Sequence, residues 1–109
     1  MPDNHRQKWP FSKHRSHLLR EADREFADAK LLLPAAEVAK SPRQTWLDLA
    51  GGFERAASLY RQAALSLMAR QAFEYASHCY HEAGDPDDSE RCVRRAEHVP
   101  VYWEKNADE

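Results

Sequence analysis

The sequence predicts an all-α domain of about four helices, on three features of its composition. Alanine, the best helix former, is the commonest residue, with 17 copies among 109 residues. Valine, threonine and isoleucine together number only five, so little favours a sheet. The three glycines and six prolines leave long stretches without a helix breaker. With 31% charged residues and a net charge of −2, the chain has the composition of one small globular domain.

The first helix is predicted over about 12–33. Its apolar residues recur at helical spacing, and one face carries Leu18, Ala22, Phe26 and Ala29. Pro34 is expected to end or kink this helix, because proline has no backbone N–H for the helical hydrogen bond. The residues that follow, 35–39, are predicted to form a connecting turn.

A second, longer helix is predicted over about 42–68. Ser41 and Pro42 are typical of a helix start, and large apolar residues then follow every seven positions, at Trp46, Phe53, Tyr60 and Leu67. Two glycines, 51 and 52, lie inside this stripe and cost roughly 2 kcal/mol relative to alanine. Because the stripe continues past them, we expect an unbroken helix whose glycines admit a neighbouring helix.

Two more helices complete the prediction. After a short turn near Ala69 and Arg70, the third helix covers about 71–83 and ends at Gly84, a residue typical of helix C-termini. The fourth begins at Asp85 and Pro86, because aspartate accepts backbone N–H bonds at a helix start and proline suits the first turn. Pro100 is expected to end it.

An internal repeat is the most informative feature of the sequence. Residues 53–63 are echoed by 73–83, twenty positions later, with five of eleven residues identical. The shared pattern comprises Trp46, Ala50, Gly51, Phe53, Ala56 and Ala57 in one helix, and Phe73, Ala76, Cys79, Tyr80, Ala83 and Gly84 in the next. Over about 40–97 this pattern resembles the tetratricopeptide-like α-α repeats and, more closely, the helical solenoid of the soluble attachment proteins of vesicle fusion. The resemblance implies a short antiparallel helical-repeat bundle that binds another protein as a scaffold or adaptor.

Charge is distributed unevenly along the chain, and this suggests three regions. Residues 1–20 hold five Lys/Arg against one Asp, whereas residues 82–109 have a net charge of −5. We predict a basic, flexible N-terminal arm over 1–11, a helical-repeat domain over 12–103 and a disordered tail over 104–109.

Candidate partner-binding residues lie mainly at the two ends of the chain. Aromatic residues alternate with basic ones in the arm, and two large aromatics follow the last helix, where exposure would be costly unless they cap the stack or contact a partner. The set is Arg6, Lys8, Trp9, Phe11, Lys13, Arg15, Tyr75, Tyr102 and Trp103. The leading hypothesis is a non-enzymatic protein-interaction adaptor or regulator. The alternative is a small nucleic-acid-associated regulator that uses the basic arm, which is less favoured because the whole chain is acidic.

No catalytic or metal-binding motif stands out. His78 and His81 are three residues apart on one helix, but Cys79 belongs to the apolar face, so this spacing is poor for zinc. We interpret Cys79 and Cys92 as free thiols that pack in the core. The sequence has no glycine-rich phosphate loop. Ser77 and His78 are adjacent in sequence and therefore diverge on a helix, so they do not place a nucleophile beside an oriented base. We therefore expect no enzyme activity and no cofactor.

The sequence also bears on location and assembly. The longest apolar run is too short for a membrane span, and basic residues interrupt the first twenty positions where a secretory signal would need an apolar core. A cytoplasmic location is therefore expected, with no membrane partner. A short helical stack needs caps at both ends, which the chain's own termini or a second copy could supply, so monomer and homodimer both stay open.

Overall fold

A computed structural model describes residues 2–40 and 42–99, with side chains from His14 onward. Its helices are α1 (Pro2–Ala39), α2 (Arg43–Gln62), α3 (Ser66–Glu82) and α4 (Pro86–Glu97). These residues contain no strand, and the predicted all-α bundle of four helices is confirmed. Within the described part of the chain, no helix combines the length and the apolar character needed to cross a bilayer.

Consecutive helices pack side by side around one core. Each helix contacts the next in the chain, so that α2 lies between α1 and α3, and α3 lies between α2 and α4. Alanines bring the helix backbones close together, and the largest fully buried side chains, Phe53, Tyr60 and Phe73, fill the spaces between them. The stack has an elongated shape, 58 × 26 × 20 Å.

The first helix is longer than predicted at both ends. It begins at Pro2 and continues through Pro34 to Ala39, so the predicted end at 33 and the turn over 35–39 are wrong. Leu33 packs against the core and Ala36 is buried. Packing on both sides of Pro34 offsets the missing hydrogen bond, which costs about 3 kcal/mol in a helix interior. The predicted division into arm, domain and tail stays a prediction.

The second and third helices meet earlier than predicted. Helix α2 ends at Gln62 rather than near 68, and α3 already begins at Ser66, so the turn expected near residues 69 and 70 does not exist there. The actual turn includes Ala64, whose φ of 62° lies in the left-handed region. Glycine usually marks that conformation, and because alanine stands here instead, the turn cannot be recognised from the sequence.

The glycine pair in α2 lies inside a continuous helix, as predicted. Gly52 is buried against α1, and a Cβ atom at this position would lie 3.7 Å from the Cβ of Ala29. The two helices therefore approach closely here, yet with ordinary contact distances. Gly51 faces only the side chain of Arg55, 3.5 Å from where its Cβ would be.

The two turns that join α2 to α3 and α3 to α4 repeat each other at a spacing of twenty residues. In the first, the N–H of Leu65 donates to the carbonyl of Tyr60 at 2.9 Å; in the second, the N–H of Asp85 donates to Tyr80 at 2.9 Å. In each turn the residue before the donor has a positive φ, 62° and 76° respectively. This pattern closes the C-terminus of a helix and satisfies its last carbonyls.

An arginine from the preceding helix caps the C-terminus of each of these helices. Arg15 in α1 donates through Nε to the carbonyl of Ala63 at 2.8 Å, and Arg43 in α2 donates through Nε to the carbonyl of Ala83 at 3.0 Å. A positive charge at a helix C-terminus is favourable both as a hydrogen-bond donor and for the helix dipole. The internal repeat therefore extends from the sequence to its turns and caps.

The start of α4 agrees with the prediction from the sequence, whereas the start of α2 differs from it. Asp85 caps α4 as predicted, because its carboxylate accepts the N–H of Asp88 at 3.2 Å. At the start of α2, however, Pro42 itself is the cap residue and not the first helical residue.

Candidate functional site

An open groove of about 550 Å³ runs between the second half of α1 and the first half of α2. Helix α1 packs mainly on α2 and so forms one end of the stack, and the residues that line the groove come from α1 and α2 alone. In a helical stack this is the position that a further helix would occupy. The groove therefore has the location and the elongated form of a helix-binding surface.

Small and apolar residues form the floor of the groove. Ala29 and Ala36 come from α1, and Leu49 and Gly52 come from α2. All four are buried, so none of their side chains projects far into the groove. Leu32 stands at the edge with 58% of its surface exposed. Such a surface gives apolar contact to large side chains of an incoming helix.

Carboxylates surround this apolar floor. Glu25 and Asp28 project from α1, and Asp48 projects from α2. Glu25 accepts a hydrogen bond from Nε of Arg55 at 3.3 Å, and Asp48 accepts one from Gln44 at 2.9 Å. With three carboxylates and one guanidinium at its rim, the groove has a negative potential that favours a basic ligand.

Two of the predicted partner-binding residues make contacts within the bundle. Tyr75 is half-buried and stacks on Phe53 with ring centroids 4.9 Å apart, and its edge meets Phe26 at 5.5 Å. Nζ of Lys30 lies 5.7 Å from the centroid of the Tyr75 ring. Arg15 donates to the end of α2, as described above. The structure therefore gives both side chains a packing or capping role, and their predicted role in partner binding stays a prediction.

The other predicted partner-binding residues fall outside the described side chains. Residues 6, 8, 9, 11 and 13 lie on the first turns of α1, of which only the backbone is described. Tyr102 and Trp103 lie outside the described residues altogether.

A cluster of charged and aromatic residues joins α2, α3 and α4 on another side of the stack. The carboxylate of Glu54 accepts hydrogen bonds from the hydroxyl of Tyr80 at 2.6 Å and from two nitrogens of Arg91 at 2.7 and 3.1 Å. A nitrogen of Arg95 lies 3.5 Å away. Burial alone would raise the pKa of Glu54, but these hydrogen bonds and charges outweigh it and lower the pKa. The carboxylate is thus held ionised by groups that use its oxygens, which is the arrangement of a structural ion pair.

A second tyrosine repeats this contact on the neighbouring pair of helices. The hydroxyl of Tyr60 in α2 donates to the carboxylate of Asp23 in α1, as Tyr80 in α3 donates to Glu54 in α2. Burial and the adjacent carboxylate both raise the pKa values of the two phenols. Each repeated tyrosine thus binds an acidic residue on the preceding helix.

The thiols and the histidine cluster do not form a reactive site. Cys79 and Cys92 are fully buried, as predicted, and burial raises the pKa of each thiol to about 12. A thiol with so high a pKa stays protonated and is a poor nucleophile and metal ligand. His78 contacts Glu37 at 3.3 Å. Among the described residues, no three His, Cys, Asp or Glu side chains come together as a metal site.

Comparisons of the chain with protein-family models, curated proteins and solved structures found no match.

The groove was not found from the sequence, although one signal was present. Leu31, Leu32 and Leu33 are consecutive, and three consecutive helical residues point in directions about 100° apart, so they cannot all face the same core. Leu33 packs inward, whereas Leu31 and Leu32 stay exposed. An apolar run of this kind in a helix indicates a second apolar surface in addition to the core.

Proposed function

We propose that this protein is a non-enzymatic interaction module, an adaptor or regulator, that binds a helix of a partner protein in the groove between α1 and α2. The observation that carries the proposal is the combination of an apolar floor, an exposed Leu32 and a carboxylate rim in one open groove. This combination fits an amphipathic helix whose apolar face is flanked by Lys or Arg.

The rest of the described surface gives less support to other classes of function. The conspicuous polar cluster, around Glu54, is internally hydrogen-bonded, and no buried side-chain nitrogen or oxygen among the described residues lacks a partner. Catalytic sites tend instead to keep groups with perturbed pKa values directed into a cleft. The groups with shifted pKa values here serve packing and ion pairing.

The architecture also supports placing the chain among tetratricopeptide-like α-α repeats. Its turns, arginine caps and tyrosine-carboxylate contacts recur in successive helices, and proteins built from such repeats commonly use the surfaces between helices to bind other chains. We extend the proposal to this relationship, and a cytoplasmic location remains the expectation from the sequence.

The test compares two leucines of similar exposure. Leu32→Asp places a charge in the groove, and Leu67→Asp places the same charge on α3, where Leu67 is 45% exposed. Each variant is immobilised and incubated with native lysate, with and without nuclease, after circular dichroism has shown that it is folded. We expect a discrete protein that survives nuclease, is retained by wild type and Leu67→Asp, and is lost with Leu32→Asp.

Two results would count against this function. Equal retention of every captured protein by Leu32→Asp and Leu67→Asp would show that the groove is not the binding surface. Capture that disappears after nuclease treatment, or upon replacing the basic residues of the arm, would instead favour the alternative function, nucleic-acid binding, because phosphate contacts depend on those charges.

A further inference from the structure

Helix α1 has opposite net charges in its two halves. Residues 2–20 carry five Lys/Arg and one Asp, a net charge of +4, whereas residues 21–39 carry five Asp/Glu and two Lys/Arg, a net charge of −3. Two copies of such a helix attract each other when they lie antiparallel, because each basic half then faces an acidic half. Electrostatics therefore favours an antiparallel pairing of α1 with the same helix in a second copy.

The first half of α1 also projects beyond its own bundle. Its 38 residues correspond to about 57 Å, against about 30 Å for the 20 residues of α2. Arg15 already reaches the last turn of α2, at Ala63. Residues 2–14 continue the helix past this point for about 20 Å, so this part of α1 can reach another molecule.

The groove lies at a matching distance along the same helix. The residues of α1 that line it run from Glu25 to Ala39 and are centred at the level of Leu32, about 36 Å along the axis from residue 8. When two α1 helices lie side by side and antiparallel, with residue 20 of one beside residue 20 of the other, residue 8 of each copy lies level with residue 32 of the other. A single two-fold axis therefore places the projecting segment of each copy at the groove of the other copy. Both grooves are then occupied in a dimer, and no further copy is needed.

We propose that the first half of α1 of a second copy occupies the groove, so that the protein forms an antiparallel α1-to-α1 homodimer. The segment has the composition that the groove favours. Arg6, Lys8 and Lys13 match the carboxylate rim, and Phe11 supplies a large apolar side chain. Phe11 precedes Leu32 by 21 residues, so it lies about 60° from it around the helix axis, on the side of α1 that borders the groove. This inference rests on the proposed function, because it names a second copy as one ligand of the helix-binding groove. A partner helix then competes with this segment for the same surface.

The test reverses charges on each side of the interface separately. The segment variant is Arg6→Glu with Lys8→Glu, and the groove variant is Asp28→Lys with Asp48→Lys. In a dimer of either variant alone, the segment and the groove carry charges of the same sign and repel each other. In a mixed dimer, each groove receives a segment of the opposite charge. We expect sedimentation velocity to show a concentration-dependent dimer for wild type, at least tenfold weaker association for each variant alone, and recovery of the dimer in the equimolar mixture.

Salt and a matched control complete the experiment. Raising the salt concentration from 50 to 500 mM should weaken the wild-type dimer, and Glu74→Lys, a charge reversal at an exposed residue of α3, should leave it unchanged. A wild-type chain that stays monomeric at 100 µM and low salt overturns the inference, as does a dimer that survives both charge reversals or a mixture that fails to recover. If the chain is monomeric but Leu32→Asp still loses a captured protein, the inference fails and the proposed function stands.

Discussion

Replacing Glu54 by glutamine should destabilise the fold more than any ordinary surface substitution. Its side chain is only 18% exposed and accepts three hydrogen bonds, two of them from one guanidinium. Hydrogen bonds to a charged group contribute about 1.5–3 kcal/mol each when well shielded. Because Arg91 is itself 38% exposed, solvent screening reduces this value. We expect Glu54→Gln to lower the free energy of unfolding by about 2 kcal/mol, which corresponds to about 10 °C in Tm.

The pH dependence of this loss follows from the pKa of Glu54. The folded protein lowers that pKa, so the carboxylate stabilises the fold fully above its unfolded pKa, about 4.3. The stabilisation is lost as the pH falls through the folded pKa. The difference between wild type and Glu54→Gln should therefore be constant near neutral pH and shrink in acid, as measured by urea unfolding followed by circular dichroism.

Glu90→Gln is the matched control, because it makes the same chemical change in an exposed ion pair. Glu90 lies 3.4 Å from Arg94, and its side chain is 70% exposed. Such pairs contribute less than about 0.5 kcal/mol. If Glu54→Gln costs no more than Glu90→Gln, or if its cost does not shrink in acid, the carboxylate does not hold the three helices together and the reasoning fails.

Further predictions concern the core, the glycines and the thiols. Phe53→Ala removes a fully buried ring that stacks on Tyr75, and should cost about 3–5 kcal/mol in chemical denaturation; a loss below 1 kcal/mol would contradict this packing. In Gly51→Ala the new Cβ would make only an ordinary contact with the Arg55 side chain, at 3.5 Å, so the substitution should raise the free energy of unfolding by up to about 1 kcal/mol; a destabilised variant would contradict this. Cys79 and Cys92 should resist a thiol reagent at pH 8 until denaturant is added; rapid labelling of the native protein would contradict their burial.

Local sequence signals predicted the local features of this fold. The stripe around Phe53 and Phe73 and the cap at Asp85 depend on residues a few positions apart, and both are found in the structure. The twenty-residue repeat is also found, because each copy is one helix with its turn. The boundary between α2 and α3 was missed because Ala64 adopts a conformation that glycine usually signals. The end of α1 was missed because packing on both sides of Pro34 outweighs its intrinsic effect.

The candidate site was harder to predict, because its parts come from distant positions. The contact between Glu54 and Arg91 spans 37 residues, and neither residue indicates its partner by spacing. The groove needs α1 and α2 in place before Asp28 and Asp48 share a rim. Composition indicated a basic and an acidic region, but only the fold shows that one helix contains both charges and that its acidic half borders a groove.

Because the turns recur every twenty residues, one helix with its turn forms a unit by which the chain can be lengthened. A duplicate of residues 63–82, inserted after Glu82, would bring its own turn and helix, and its tyrosine would meet Glu74, which stands at the repeat position of Glu54. The stack would then grow by one helix, about 10 Å. Helix α4 would pack on the copy of α3, and Arg91 would meet Glu74 in place of Glu54. Duplication of a single helix with its turn is therefore a direct evolutionary route to this architecture.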